Sequence, residues 1–279
     1  MPEIEHRIEL DAVSTHPDYS GREFSDEEIA AGGHREFVGG AWGTHGQRQL
    51  DFLKSQGMLP EHRLLDIGCG SFRAGRHFID FLDAGNYYGI DANHSLMQTG
   101  YDLELSDEQR TKTPITHLRA NDRFDGDFGV EYEFAIANSV FSHVSLNHIR
   151  LALYRLDKVM APGGSFYATF FERKATFPID AISELTKNGK GYFTEKNNFW
   201  YFRSDLRWAA TFGHWKVTYI GDWGHPAGQR MMQFTKMTAT EIAAHEAKTI
   251  ATKAPASVKA DLRKHAGRGK RWAKRKLNR

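Results

Sequence analysis

Residues 63–91 read RLLDIGCGSFRAGRHFIDFLDAGNYYGID, and the order of their parts decides the fold. Leu64, Leu65 and Ile67 form a short apolar run that carries Asp66 and ends in two glycines, Gly68 and Gly70. Ala74, His77, Phe78, Phe81 and Leu82 then recur at the spacing of one helix face. The pattern predicts strand, tight turn and helix. A second apolar run over 87–90 closes on Asp91, 21 residues past Gly70. In a doubly wound sheet the amides of such a turn face a nucleotide, and an acid about 20 residues on takes the ribose hydroxyls. The stretch therefore predicts an adenosine-ribose site, with Asp66, Gly68, Cys69, Gly70, Asp91 and Ala92 around it.

The third glycine of a dinucleotide fingerprint would fall at position 73, where a Cβ would hold the helix away from the strand. That position is Arg73, and the run is instead Asp66-Ile-Gly68-Cys-Gly70, with Gly75 further on. This acid-x-Gly-x-Gly run resembles the first motif of the class I S-adenosylmethionine-dependent methyltransferases. The resemblance implies S-adenosylmethionine as cofactor; a plain nucleotide binder or a dehydrogenase is the alternative.

A chain of 279 residues can bury one large core with appendages. Its 40% hydrophobic and 26% charged composition is that of a soluble globular protein. It has no run of 18 apolar residues and no basic-then-apolar start, so the expected location is cytoplasmic. The single cysteine, Cys69, sits inside the glycine turn and excludes internal disulfides and thiolate-rich metal sites. The net charge of +2 hides a split: residues 251–279 carry eleven Lys or Arg against Asp261, about +10, which leaves residues 1–250 near −8. Such a basic tail suits a partner subunit, nucleic acid or the inner face of an anionic membrane, the first and last being favoured over nucleic acid.

The expected organisation is an arm and short helix over 1–36, a catalytic domain over 37–240 and a basic extension over 241–279. Ser25 with Glu28 gives a capping box, and Gly32-Gly33 closes that helix. A glycine-rich segment, VGGAWGTHGQ over 38–47, precedes a helix over 46–56. Class I methyltransferases commonly cover the cofactor with the segment ahead of the first strand, so the resemblance brings Trp42 and His45 towards cofactor or acceptor. A helix over 94–105 leads to a third strand over 115–119 that runs into Asn121 and Asp122. Asp122 is placed to accept from the adenine amino group, and an Asn-Asp turn is the competing reading. A fourth strand over 133–137 runs into Asn138, a cofactor contact. A helix over 146–160 then leads through APGG to a fifth strand over 165–171. Residues 172–200, dense in aromatics, are expected to form an acceptor lid, although a dimer contact would use the same rings. A helix over 204–212 and strands over 215–220 and 230–236 complete the chain. The fold class is α/β, a Rossmann-like doubly wound sheet of seven strands in order 3-2-1-4-5-7-6, the last strand antiparallel.

Ligands bind beyond the carboxyl ends of such strands, which brings His143, Glu172 and His225 to the acceptor side. Phe141, Tyr192, Trp200, Asp222 and Trp223 join Trp42 and His45 as candidate substrate contacts. Methyl transfer to an alcohol needs alignment and removal of a proton. His143 is the expected general base, with Glu172 orienting its ring. Alternatively Glu172, Asp222 and His225 hold a divalent ion such as Mg2+.

A wider resemblance rests on WGTHGQRQLDFL (42–53), LDIGCGSFRAGRHFI (65–79), YYGIDAN (87–93), NSVFSHVSLNHIR (138–150), APGGSFYATFFE (161–172) and DWGHPAGQRMM (222–232). It is to bacterial methyltransferases found with polysaccharide and glycan biosynthesis, and it implies O-methylation of a sugar or glycan, a mannoside being one specific case. An RNA methyltransferase, a natural-product O-methyltransferase with a divalent metal, and a non-catalytic interaction protein are the competing readings.

Overall fold

A computed structural model of the chain describes residues 2–6, 17–173 and 198–253. Most of the expected acceptor lid, with Tyr192, and most of the basic extension lie outside the described residues. The chain divides into two units, Met1–Lys236 and Met237–Arg279.

The first unit is built on one nine-stranded sheet. Its strands are β1 (Glu5–His6), β2 (Leu64–Ile67), β3 (Tyr87–Asp91), β4 (Leu118–Ala120), β5 (Tyr132–Ala137), β6 (Met160–Glu172), β7 (Trp200–Tyr201), β8 (Trp215–Asp222) and β9 (Arg230–Lys236). They lie in the order β1-β4-β3-β2-β5-β6-β9-β8, with β7 beside the end of β6. All pairs from β1 to β6 are parallel, and β9 runs antiparallel to both β6 and β8. This is the Rossmann-like order expected from the sequence, with β1 and β7 added.

Helices α1 (Pro17–Ser20), α2 (Asp26–Ala30), α3 (Gly33–Phe37) and α4 (His45–Ser55) precede β2. Helix α5 (Gly75–Phe81) follows the glycine turn, α6 (His94–Leu103) and α7 (Asp107–Lys112) connect β3 to β4, α8 (Leu146–Val159) joins β5 to β6, and α9 (Arg203–Ala209) precedes β8. The parallel strands are buried on both faces, which is why they read as nearly continuous apolar runs. Successive residues alternate between two cores: Leu65, Tyr88, Ala135 and Phe166 face one, with Ile149, Leu153 and Leu206, while Leu64, Tyr87, Phe134 and Tyr167 face the other, with Leu53 and Phe78.

At three places the structure adds elements to those expected. The N-terminal arm is not wholly irregular: Glu5 and His6 pair with Arg119 and Ala120, and Arg119 Nε donates to the Glu5 carboxylate at 2.9 Å. Gly32, at φ +81°, ends α2 as expected, but a further short helix, α3, begins at Gly33. The helix expected over 94–105 is α6, ending at Leu103, and a second helix, α7, follows it where none was expected. A second capping box, with Ser106 Oγ accepting from Gln109 N–H and Gln109 Oε1 from Ser106 N–H, opens α7.

In the second unit, α10 (Ala239–Lys253) starts at Thr238, whose Oγ1 accepts from Glu241 N–H while Glu241 Oε2 accepts from Thr238 N–H. Among the described residues no helix is long and apolar enough to cross a membrane.

Helix α4 touches the start of α5 through Gly46, where a Cβ would collide with the Arg73 carbonyl oxygen and stand 2.7 Å from His77 Cδ2. Helix propensity alone would favour Ala over Gly by about 1 kcal/mol, but forcing an atom into a packed contact costs about 1–3 kcal/mol. Gly46→Ala should therefore lower the midpoint of thermal unfolding, as measured by circular dichroism.

Candidate active site

The turn from β2 into α5 abuts the tip of β5. Gly68 has φ +73°, and a Cβ there would lie 2.5 Å from Val140 Cγ2. The turn is held to the tip of β3 by Asp91. Its Oδ2 accepts from Gly70 N–H at 2.9 Å, its Oδ1 accepts from Asn93 N–H at 2.8 Å, and the Tyr19 hydroxyl approaches Oδ2 at 3.5 Å. Burial pushes the Asp91 carboxyl up to about 6 despite these donors. Asp66 is also buried. Its Oδ2 accepts from the Tyr87 hydroxyl at 2.9 Å, and burial pushes its carboxyl up to about 7. Burial and the two nearby aspartates push the Cys69 thiol well above its ordinary range, so it is no thiolate nucleophile.

A cavity of about 1020 Å³ opens above these strand ends. At one end it is lined by Tyr19, Phe37, Gly70, Asp91, Ala92 and Asp122, and at the other by His45, Ser139, His143, Asn198, His225 and Gln229. It stands at the top of the range for a single small-molecule pocket, so it has room for a cofactor and an acceptor together. Asp66 and Cys69 border a separate void of about 30 Å³ beside the turn. Asp122 Oδ1 is buried at the tip of β4 without a hydrogen-bond partner among the described residues, and Asn138 Oδ1 is in the same condition at the tip of β5. These acceptors fit S-adenosylmethionine: Asp91 would take the ribose hydroxyls and Asp122 the adenine amino group. Asn121, beside Asp122, is spent on its own loop, its Oδ1 accepting from Arg123 and Asp125 N–H groups.

At the acceptor end the chain leaves β5 through Ser139, a non-glycine residue at φ +61°. That conformation is held from several sides. Ser139 N–H donates to Thr169 Oγ1 at 2.6 Å, Thr169 Oγ1 donates to Gln229 Oε1 at 2.6 Å, and Ser142 Oγ donates to the Ser139 carbonyl at 3.0 Å. His225 Nδ1 accepts from Ala227 N–H at 3.1 Å. In the neutral ring the proton then sits on Nε2, which donates to Ser139 Oγ at 3.0 Å. His45 packs edge-on against His225 and accepts from Asn138 Nδ2 at 3.1 Å. Burial, with the Arg73 and Arg48 cations, pushes His45 down to about 4, so its ring is neutral. His143 lies exposed on the cavity wall, its N–H bonded to the Val140 carbonyl.

Several candidates lie elsewhere. Glu172 does not orient His143, because its carboxylate is bound by Arg203 and by the Tyr219 hydroxyl, away from the cavity lining. Asp222 is exposed and paired with Arg230 at 2.5 Å. With both acids held by arginines, the grouping Glu172, Asp222 and His225 is not a metal site, and among the described residues no cluster of His, Cys, Asp or Glu is arranged to hold a metal ion. Trp42 packs against the Arg35 and Arg76 guanidinium groups, off the cavity. Phe141 is fully buried against Phe166. Trp200 and Trp223 stand behind the lining, stacked on Phe171 and packed against His45 and His225. The sequence reading missed Tyr19 and Phe37, which stack on each other at the cofactor end, and Ser139 and Gln229. An aromatic residue in a polar arm was the available signal for Tyr19. A strained serine leaves none.

Because its folded carboxyl is raised, Asp66 stabilises the fold most while protonated, below about pH 4, and that contribution is lost as pH rises towards about 7. Asp66→Asn keeps an acceptor for Tyr87 and does not titrate. In urea unfolding of the cofactor-free protein, the wild type should lose up to about 1.4 kcal/mol per pH unit relative to this variant between pH 4 and 7. Parallel stability profiles would contradict the burial of an ionisable Asp66.

Residues 65–166 match the family model described as a methyltransferase domain. Human N-acetylserotonin methyltransferase in complex with SAM has the same fold, with a TM-score of 0.51 at 12% identity over 82% of this chain and 60% of that one. CalS10, an amino pentose methyltransferase from Micromonospora echinaspora, gives 0.49 at 15% identity over 77% and 99% of the two chains. DesVI from Streptomyces venezuelae gives 0.48 at 17% identity over 76% and 99%. The acid-Gly-Gly turn and Asp91 thus lie within a stretch that matches a methyltransferase domain, on a sheet folded like that of a methyltransferase in complex with SAM.

Proposed function

We propose that the enzyme methylates a hydroxyl of a sugar or glycan acceptor, with His143 as general base. The observation that carries this reading is the chemistry of the acceptor end. Its polar lining is Ser139, His143, Asn198, His225 and Gln229, with His45, whereas the charged residues of the cavity wall are Arg73, Asp91 and Asp122. Neutral donors and acceptors suit an uncharged polyhydroxyl ligand better than a phosphate-bearing one. Phe171, backed by Trp200 at 4.8 Å between ring centroids, offers an apolar surface to a sugar face.

Bound at the glycine turn, S-adenosylmethionine supplies a methyl group on a sulfonium that is already activated. What the protein adds is alignment of the acceptor oxygen and a place for its proton. Of the three cavity histidines, His45 is too weak a base, and His225 has its unprotonated nitrogen bound to Ala227 N–H. His143, exposed and at the tip of β5, is the one suited to take a proton at a ring nitrogen and pass it to water. Ser139 Oγ, already accepting from His225, keeps its own proton for a second acceptor oxygen.

The test is methyl transfer from labelled S-adenosylmethionine to methyl mannosides, oligomannosides and total RNA, with and without EDTA. Labelling of a sugar hydroxyl that survives EDTA is expected. His143→Ala should lower kcat by about two to four orders of magnitude while leaving cofactor affinity nearly intact. Labelling confined to RNA, or abolished by EDTA, would replace this reading.

A further inference from the structure

Arg73 occupies the position that rules out a dinucleotide fingerprint, and the chemistry above gives it no task. Its hydrogen bonds among the described residues go to carbonyls: Nη1 donates to Val38 O at 2.6 Å and Gly40 O at 2.9 Å. Its Nε is buried with no partner. A guanidinium that stays charged and is taken largely out of water calls for an anion, and two carbonyls do not supply one. Asp66, the acid whose charge acts on Arg73, is itself pushed by burial to about 7 and is a weak counter-ion. Among the described residues Arg73 is also the one Lys or Arg on the wall of the large cavity, and with Asn138 and Gly68 it borders both that cavity and the smaller void. Asn138 Oδ1 is the matching defect, a buried acceptor with no donor among the described residues.

An unsatisfied cationic donor and an unsatisfied neutral acceptor on one stretch of wall are complementary to an α-amino-acid zwitterion. We propose that Arg73 and Asn138 bind the methionyl end of the cofactor, Arg73 taking its α-carboxylate and Asn138 Oδ1 its α-ammonium. The adenosine end is anchored at the tips of β3 and β4, and the methionyl end then lies across the glycine turn, between β2 and α5. Arg73 has a second effect. Through Nη1 it holds the carbonyls of Val38 and Gly40, so the side chain that receives the carboxylate also fastens the segment ahead of α4 over the turn.

The test uses calorimetry on the full chain with two defined ligands: S-adenosylhomocysteine, which carries the amino-acid end, and 5′-methylthioadenosine, which lacks it. Arg73→Met should weaken S-adenosylhomocysteine by roughly 10- to 100-fold, the value of one charge-assisted pair, and leave 5′-methylthioadenosine within about threefold. Arg73→Lys, which keeps the charge and loses the fork, should fall between. If Arg73→Met does not fold, decarboxylated S-adenosylhomocysteine with the wild-type protein asks the same question, and it should bind roughly 10-fold or more below the parent ligand. Equal weakening of both nucleosides in Arg73→Met would mean that Arg73 only holds the covering segment, and unchanged S-adenosylhomocysteine affinity would remove it from the site; either overturns the proposal. Wild-type protein that binds neither ligand would overturn the cofactor assignment itself.

Discussion

A buried carboxylate bound to backbone amides holds the site together. Asp91 joins the glycine turn after β2 to the start of α6, because one oxygen takes Gly70 N–H and the other Asn93 N–H. Burying a carboxylate is costly, and the upward push on its pKa shows the cost is only partly offset by these donors. Ribose hydroxyls would add donors where the free protein is short of them, so cofactor binding and the integrity of this corner are the same interaction. The corner also holds the N-terminal segment: Asn93 Nδ2 donates to the Tyr19 carbonyl at 2.6 Å and to the Arg22 carbonyl at 2.9 Å. Tyr19 and Phe37 are thereby carried to the cavity.

The acceptor half depends on a different device. At the tip of β5 the chain takes an unfavourable backbone conformation at Ser139, which costs of order 1–3 kcal/mol unless its surroundings impose it. Here they do. Thr169 on β6 and Gln229 ahead of β9 fix the Ser139 amide, and Ser142 fixes its carbonyl. Phe199 N–H donates to the Ser142 carbonyl and the Tyr201 hydroxyl to the Val144 carbonyl, so the strand that ends the aromatic insertion is clamped to the same turn. Strain stored where a donor methyl and an acceptor must meet is what fixed alignment requires.

Much of this was legible in residues 63–91, and for a physical reason. The separation of Gly70 from Asp91 is the length of one helix and one strand in a doubly wound sheet, so it reports directly on which backbone groups face each other. Asp122 and Asn138 follow from the same logic of strand ends. The errors came where side-chain partners are distant in sequence. Nothing near Glu172 announces that Arg203 and Tyr219 will claim it, and nothing near Trp42 announces the two cations packed against it. Arg73 was read only as a missing glycine. Its involvement with Val38 and Gly40, more than 30 residues earlier, is a product of tertiary packing of the segment before α4. The edge strand β1 escaped because two residues carry no periodicity.

The claim on which the rest depends is that Asp91 is the ribose anchor of an S-adenosylmethionine site, and calorimetric titration of wild type and Asp91→Ala with S-adenosylmethionine and with NAD tests it most directly. The account predicts binding of S-adenosylmethionine on the order of micromolar, little affinity for NAD, and a loss of about 2–4 kcal/mol in the variant, the worth of two charge-assisted hydrogen bonds. Unchanged S-adenosylmethionine affinity in a folded Asp91→Ala protein, or preferential binding of NAD by the wild type, would contradict it.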